Sequence, residues 1–90
     1  MSRTATNARD PLTVALEALA VTIRDDRRAE RLLALSGLSP QDLRGRAGDP
    51  ALLAAVLTFL EAHEPDLLAV SGELGITPEE LVAVRSALEA

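Results

Sequence analysis

The sequence predicts an all-α protein, a compact bundle of five to six short helices, and three observations carry that reading. The 48% hydrophobic content is mostly Leu, Ala and Val, and Phe59 is the lone aromatic. Leu and Ala favour helices, and the β-branched and aromatic enrichment that marks strands is missing. Apolar residues also recur at helical spacing, and helix start and stop signals punctuate the chain from end to end. Ninety residues suit one domain, because single domains usually run from about 50 to 200 residues. The polar segment 1–9 reads as a disordered N-terminal arm, and residues 10–90 as the single helical domain.

Each element has its own signal. Asp10-Pro11 opens the first helix: the Asp accepts from free backbone N–H groups, and the Pro is preset for the first turn. Leu12, Leu16, Leu19 and Ile23 then fall on a single face, which Ala15, Ala20 and Val21 widen, up to about Arg24. Asp25 or Asp26 caps a second helix from about Arg27 to Ser36, and Gly37 stops it. Ser39-Pro40-Gln41-Asp42 resembles a capping box and opens a short third helix that carries Leu43 and stops before Gly48. Asp49-Pro50 repeats the start signal. The fourth helix, to about Ala62, is apolar nearly all round, as suits the centre of a bundle. A fifth helix follows Pro65, holds Leu67, Leu68, Val70 and Leu74, and ends at Gly75. Gly72 inside it marks a fray or a close helix contact. Thr77-Pro78-Glu79-Glu80 is a second capping box and opens a sixth helix, with Leu81, Val84 and Leu88 on one face.

The signals recur in order. Leu32 to Gly37 echoes Leu67 to Gly72, and Leu38 to Leu43 echoes Ile76 to Leu81. Two readings fit: an internal pseudo-twofold duplication of a three-helix unit, or two uses of one capping grammar.

Composition excludes several classes of function. There is no Cys, hence no disulfide and no thiolate metal site. The polar N-terminus has no apolar h-region, and no apolar run approaches the roughly 18–20 residues of a membrane span. A cytoplasmic location is expected. The net charge of −5 is uneven: residues 1–46 hold eight Arg against six acids, and residues 47–90 hold Arg85 against eight acids. The acidic C-terminal half disfavours nucleic acid and anionic membranes there and suits a basic partner.

Candidate sites are few. His63 lies among Glu61, Glu64 and Asp66, but one His and exposed carboxylates make a poor zinc set, and capping of the fourth helix is the better reading. No Cys or elbow Ser is present to act as its nucleophile. Asp25-Asp26 and Glu79-Glu80 stand where helices begin, which favours acids on structural grounds alone. Val70 to Val84 threads onto a helix-turn-helix template, with Ser71 at the small position, Gly75 at the turn, and Leu81 and Val84 at packing positions. Glu79, Glu80 and Glu89 against Arg85 are nevertheless the wrong charges for reading DNA. Arg24, Arg27, Arg28 and Arg31 form the sharpest cationic cluster, and Arg24, Arg28 and Arg31 can share a helix face. Asp25, Asp26 and Glu30 interleave with them and offer local ion pairs, and no aromatics stand by to stack bases.

The run Arg31 to Arg44 (Arg-Leu-Leu-Ala-Leu-Ser-Gly-Leu-Ser-Pro-Gln-Asp-Leu-Arg), followed by Asp49 to Leu60 (Asp-Pro-Ala-Leu-Leu-Ala-Ala-Val-Leu-Thr-Phe-Leu), resembles the short alphaproteobacterial proteins grouped as domain of unknown function 3572. The likeness continues through Glu64, Leu67, Leu68 and Gly75-Ile76-Thr77-Pro78-Glu79-Glu80, covering roughly residues 12 to 88. The family tends to have Phe in place of Leu32 and Leu52, and an acid in place of Thr58 and His63. The resemblance implies a helical fold and a bacterial, cytoplasmic origin, and it implies no activity. The expectation is a non-catalytic protein–protein interaction or regulatory module that needs no cofactor or metal. Its partner is another protein, of basic character, or a second copy in a homodimer. Arg24, Arg28, Arg31, Glu61, His63 and Glu64 form the candidate interaction surface. The alternative is a helix-turn-helix-like protein that binds nucleic acid through the Arg24–Arg31 side.

Overall fold

The structure is a computed structural model that describes residues 10–90; the arm expected over residues 1–9 lies outside them. Asp10 accepts from the Thr13 N–H at 3.1 Å and opens α1 (Pro11–Arg24). Asp25 accepts from the Arg27 and Arg28 N–H groups, both at 3.0 Å, at the start of α2 (Asp26–Ser36). Ser39 and Asp42 form a reciprocal capping box on α3 (Pro40–Gly45). Asp49 accepts from the Ala51 N–H at 2.9 Å and opens α4 (Pro50–Glu61). Thr77 and Glu80 form the second box, on α6 (Pro78–Glu89). Between them α5 (Glu64–Leu74) has no side-chain cap. It begins one residue ahead of Pro65, because a Pro at either of the first two helical positions removes only N–H groups that have no intrahelical acceptor. Gly37 and Gly75 end α2 and α5 at φ 81° and 73°, left-handed values that only Gly adopts at little cost. Among the described residues there are six helices and no strand, and no helix is long and apolar enough to cross a membrane.

Three of the capping carboxylates are held below the usual aspartate range. The Arg28 backbone N–H is the main cause at Asp25, the Ser39 backbone N–H at Asp42, and the Arg46 guanidinium at Asp49. A carboxyl whose pKa falls on folding leaves the unfolded chain binding more protons at acid pH, so stability rises with pH through that window. The contribution is present above the unfolded aspartate value of about 3.9 and is lost as pH falls through the lower folded values. Thermal melts followed by circular dichroism should therefore hold their midpoint down to about pH 5 and drop below about pH 4. In the triple variant Asp25→Asn, Asp42→Asn, Asp49→Asn that acid drop should be shallower. An equal drop in the variant would place the acid sensitivity elsewhere.

Two helices make the centre. α4 packs against α1, α2, α5 and α6, and α1 against α2, α4, α5 and α6. α4 buries Leu52, Leu53, Ala54, Val56, Leu57, Phe59 and Leu60, as an apolar helix in mid-bundle should. α1 departs from expectation. Its buried residues are Val14, Ala15, Ala18, Leu19, Val21 and Thr22, whereas Leu16 and Ile23 are 40% and 43% exposed. Ala20 is exposed as well. The buried sector is turned by about one residue, or roughly 100°, from the Leu/Ile stripe. Small residues at its middle (Ala15, Ala18) let neighbouring helices approach closely, which larger side chains on that sector would prevent. Leu68 of α5 is also not a core residue, being 52% exposed, while Val70 and Ser71 of the same helix are buried.

Gly72 does not mark a close helix contact. It has an ordinary negative φ, and a Cβ built on it meets nothing within 4 Å. Gly72→Ala should therefore stabilise the protein by about 0.5–1 kcal/mol, through lower unfolded-state entropy and higher helix propensity. A melting temperature raised by several degrees checks this; a lowered one would reveal a steric demand at that position.

The two three-helix units differ in their third helix. α3 has six residues and packs broadly on no other helix, whereas α6 has twelve and lies against both α1 and α4. The pseudo-twofold repeat is therefore not confirmed. In the Val70–Val84 segment Ser71 and Leu81 are buried, Val84 packs on the core, and Gly75 makes the turn between α5 and α6.

Candidate interaction surfaces

Three of the four clustered arginines, Arg24, Arg28 and Arg31, pair with acids of α5, while Arg27 is exposed. Arg24 and Arg28 reach Glu73, at 2.6 and 3.6 Å. Arg31 grips Asp66 with two hydrogen bonds, Nε to Oδ2 at 3.0 Å and Nη2 to Oδ1 at 2.6 Å. The Asp66 side chain is only 7% exposed and that of Arg31 is 43% exposed, so the pair closes over a carboxylate beneath the surface. Hydrogen bonding to Asp66 pushes the Arg31 pKa further up. Arg28 also donates through Nη2 to the Val21 carbonyl at 3.3 Å, satisfying one of the acceptors that the C-terminus of α1 leaves open. The expected ion pairs with the interleaved Asp25, Asp26 and Glu30 are thus replaced by ties across the fold. A helical neighbour gives an exposed pair of small value, while Asp66 and Glu73 are presented by a packed helix and join two elements.

Glu61, His63 and Glu64 do not converge. Glu61 forms an ion pair with Arg85, which also binds Glu89 at 2.6 Å. His63 stands at the α4–α5 junction. Its Nδ1 donates to the Phe59 carbonyl at 2.9 Å, and its ring stacks on Phe59 at 4.6 Å between centroids. It therefore caps the C-terminus of α4, as its position in the sequence suggests. Glu64 is exposed at the start of α5. Asp66 is committed to Arg31 and Glu61 to Arg85, and among the described residues no three metal-capable side chains gather. The six candidate residues thus fall into separate places: Arg24 and Arg28 on Glu73, Arg31 on Asp66, Glu61 on Arg85, and His63 with Glu64 at the helix junction.

A different feature emerges from the packing. An open groove of about 870 Å³ runs along α4, between the C-terminal ends of α2 and α6. Its floor is Ala51, Ala54, Ala55, Thr58 and Ala62, with Phe59 at depth; Leu35 stands on the α2 side and Leu88 on the α6 side. Ala51, Thr58 and Ala62 are exposed and Ala55 is half-buried, on a helix whose other residues are mostly buried. Leu35 is 60% exposed, the most of any large hydrophobic residue described. The sequence carries a sign of this: Ala51, Ala55, Thr58 and Ala62 sit at i, i+4, i+7 and i+11, a small-residue stripe on a helix otherwise built of Leu, Val and Phe. Averaging α4 as apolar all round conceals it.

Comparison with curated proteins and with solved structures finds no match for the chain. The family model described as "Protein of unknown function (DUF3572)" does match, over residues 8–90, and the chain belongs to that family.

Proposed function

We propose that the chain is a non-catalytic protein–protein interaction module, of an assembling or regulatory kind, that works through the groove on α4. The observation that supports this is the stripe of small residues left open on the most deeply packed helix, with Leu35 held out at its edge. Exposed apolar surface gathered in one place marks a contact site more often than scattered exposed residues do. Small side chains let an incoming backbone come close. The internal pairing of Arg24, Arg28 and Arg31 with Glu73 and Asp66 favours this over the nucleic-acid alternative, since phosphate binding needs uncommitted cations.

The test is site-directed photo-crosslinking of the full chain in extract of its native cells. A photoreactive phenylalanine analogue at Thr58, in the groove, is compared with one at Glu79, exposed on the first turn of α6. Discrete heavier adducts from position 58 and none from position 79 are expected. Equal labelling at both positions, or none at 58, would overturn the reading.

A further inference from the structure

We infer that the groove seats a cationic amphipathic helix of a partner protein, apolar side down on the Ala51–Ala62 floor and Lys or Arg side chains along the rim. This rests on the reading of the groove as the interaction site and adds what fills it. Length comes first. The lining runs along α4 from Asp49 to His63, about 20 Å at 1.5 Å per residue, which matches roughly four turns of helix rather than a compact ligand. The floor has the relief that helices use to pack closely, small residues at i, i+4, i+7 and i+11 with larger side chains standing on both sides.

Charge then selects the sign of the occupant. The ionised groups in the lining are the Asp49 and Glu89 carboxylates, and no Arg or Lys lines it. Leu35 and Ser36 are the last residues of α2, and Leu88 and Glu89 the last two of α6, so two helix C-termini with their partial negative charge flank the site. Arg46 and Arg85 pair with the two carboxylates from outside the lining, and the Asp49 carboxylate caps the positive N-terminus of α4 at one end of it. A second copy of this chain suits the site poorly. It brings the same acidic rim and a net charge of −5, and like charges brought together at an interface oppose association.

The experiment is a fluorescence anisotropy titration of the full chain with a labelled 16-residue Leu/Lys peptide whose leucines fall on one helix face. Two controls are used: the same peptide with Glu for Lys, and a scrambled peptide of the same composition. The Leu/Lys helix should bind at least tenfold more tightly than either control, and less tightly as salt rises. Thr58→Arg should weaken it at least tenfold and Glu89→Gln severalfold, while Glu79→Gln leaves it unchanged. If Thr58→Arg lowers the helical signal, Ala62→Arg, at an exposed position just beyond α4, replaces it. Equal binding of the controls, indifference to Thr58→Arg and Ala62→Arg, or absence of peptide binding would overturn the proposal. So would a dimer in sedimentation velocity that Thr58→Arg splits, which assigns the groove to a second copy. So too would full displacement of the peptide by monomeric dodecyltrimethylammonium, which assigns it to a small cationic amphiphile. Crosslinks at position 58 without preference for the Leu/Lys helix sink only this inference; silence at position 58 sinks the interaction module itself.

Discussion

Leu53→Ala should cost about 3–5 kcal/mol, the sum of lost transfer free energy and an uncollapsed cavity. Leu53 is fully buried, on the one helix that carries more buried side chains than any other described. Four helices converge on α4, so no single neighbour can move inward to close the space without losing contacts elsewhere. A 90-residue domain has about 5–13 kcal/mol in total, and the midpoint should fall by roughly 15–30 °C. Urea titration should show a lower midpoint with an unchanged slope, because the folded and unfolded states expose the same surface as before. Leu68→Ala is the matched control: at 52% exposed it should cost below about 1 kcal/mol. A loss for Leu53→Ala no larger than that of the control would mean that α4 is not the centre of the packing.

That contrast between two leucines shows where sequence reading works and where it stops. Helix ends were legible because each is decided locally: Asp10, Asp25, Ser39, Asp49 and Thr77 cap through hydrogen bonds that span two or three residues. The identity of α4 as the central helix was legible for a similar reason, since only one segment has Leu, Val or Phe on nearly every side. Rotational setting was not. The Leu12–Leu16–Leu19–Ile23 stripe is as regular as any in the chain, yet α1 leaves Leu16 and Ile23 exposed and buries Ala18 and Thr22 beside Leu19. Periodicity shows that a face exists, but the partner helices choose which sector to cover, and close approach can favour the smaller residues. Ion pairing escaped for the same reason: Asp66 and Glu73 lie 35 and 49 residues from their partners Arg31 and Arg24, and no local pattern announces such a match. The groove is the complement of these packing choices and becomes visible only after α2 and α6 have been placed beside α4.

Arg31 and Asp66 give the second large effect, and it should be lopsided. Arg31→Leu leaves the Asp66 carboxylate under the surface, where its side chain is only 7% exposed, with no counter-charge, and should clearly lower stability. Asp66→Leu frees an arginine whose side chain is already 43% exposed and whose long stem can carry the guanidinium to water, so the loss should be clearly smaller. The double variant should recover much of the stability lost in Arg31→Leu, since a packed apolar pair asks for no desolvation of charge. Equilibrium unfolding of all four proteins measures this directly as a coupling energy. A single-variant order with Asp66→Leu the worse would show that the packing of Arg31, and not the buried carboxylate, dominates this contact. Neither residue lines the groove, so both single variants, measured well below their melting temperatures, should bind the Leu/Lys helix like the parent. Loss of binding in step with loss of stability would mean that the cation cluster and the groove act as one surface, whereas unchanged binding separates the arginines that hold α2 to α5 from the face offered to a partner.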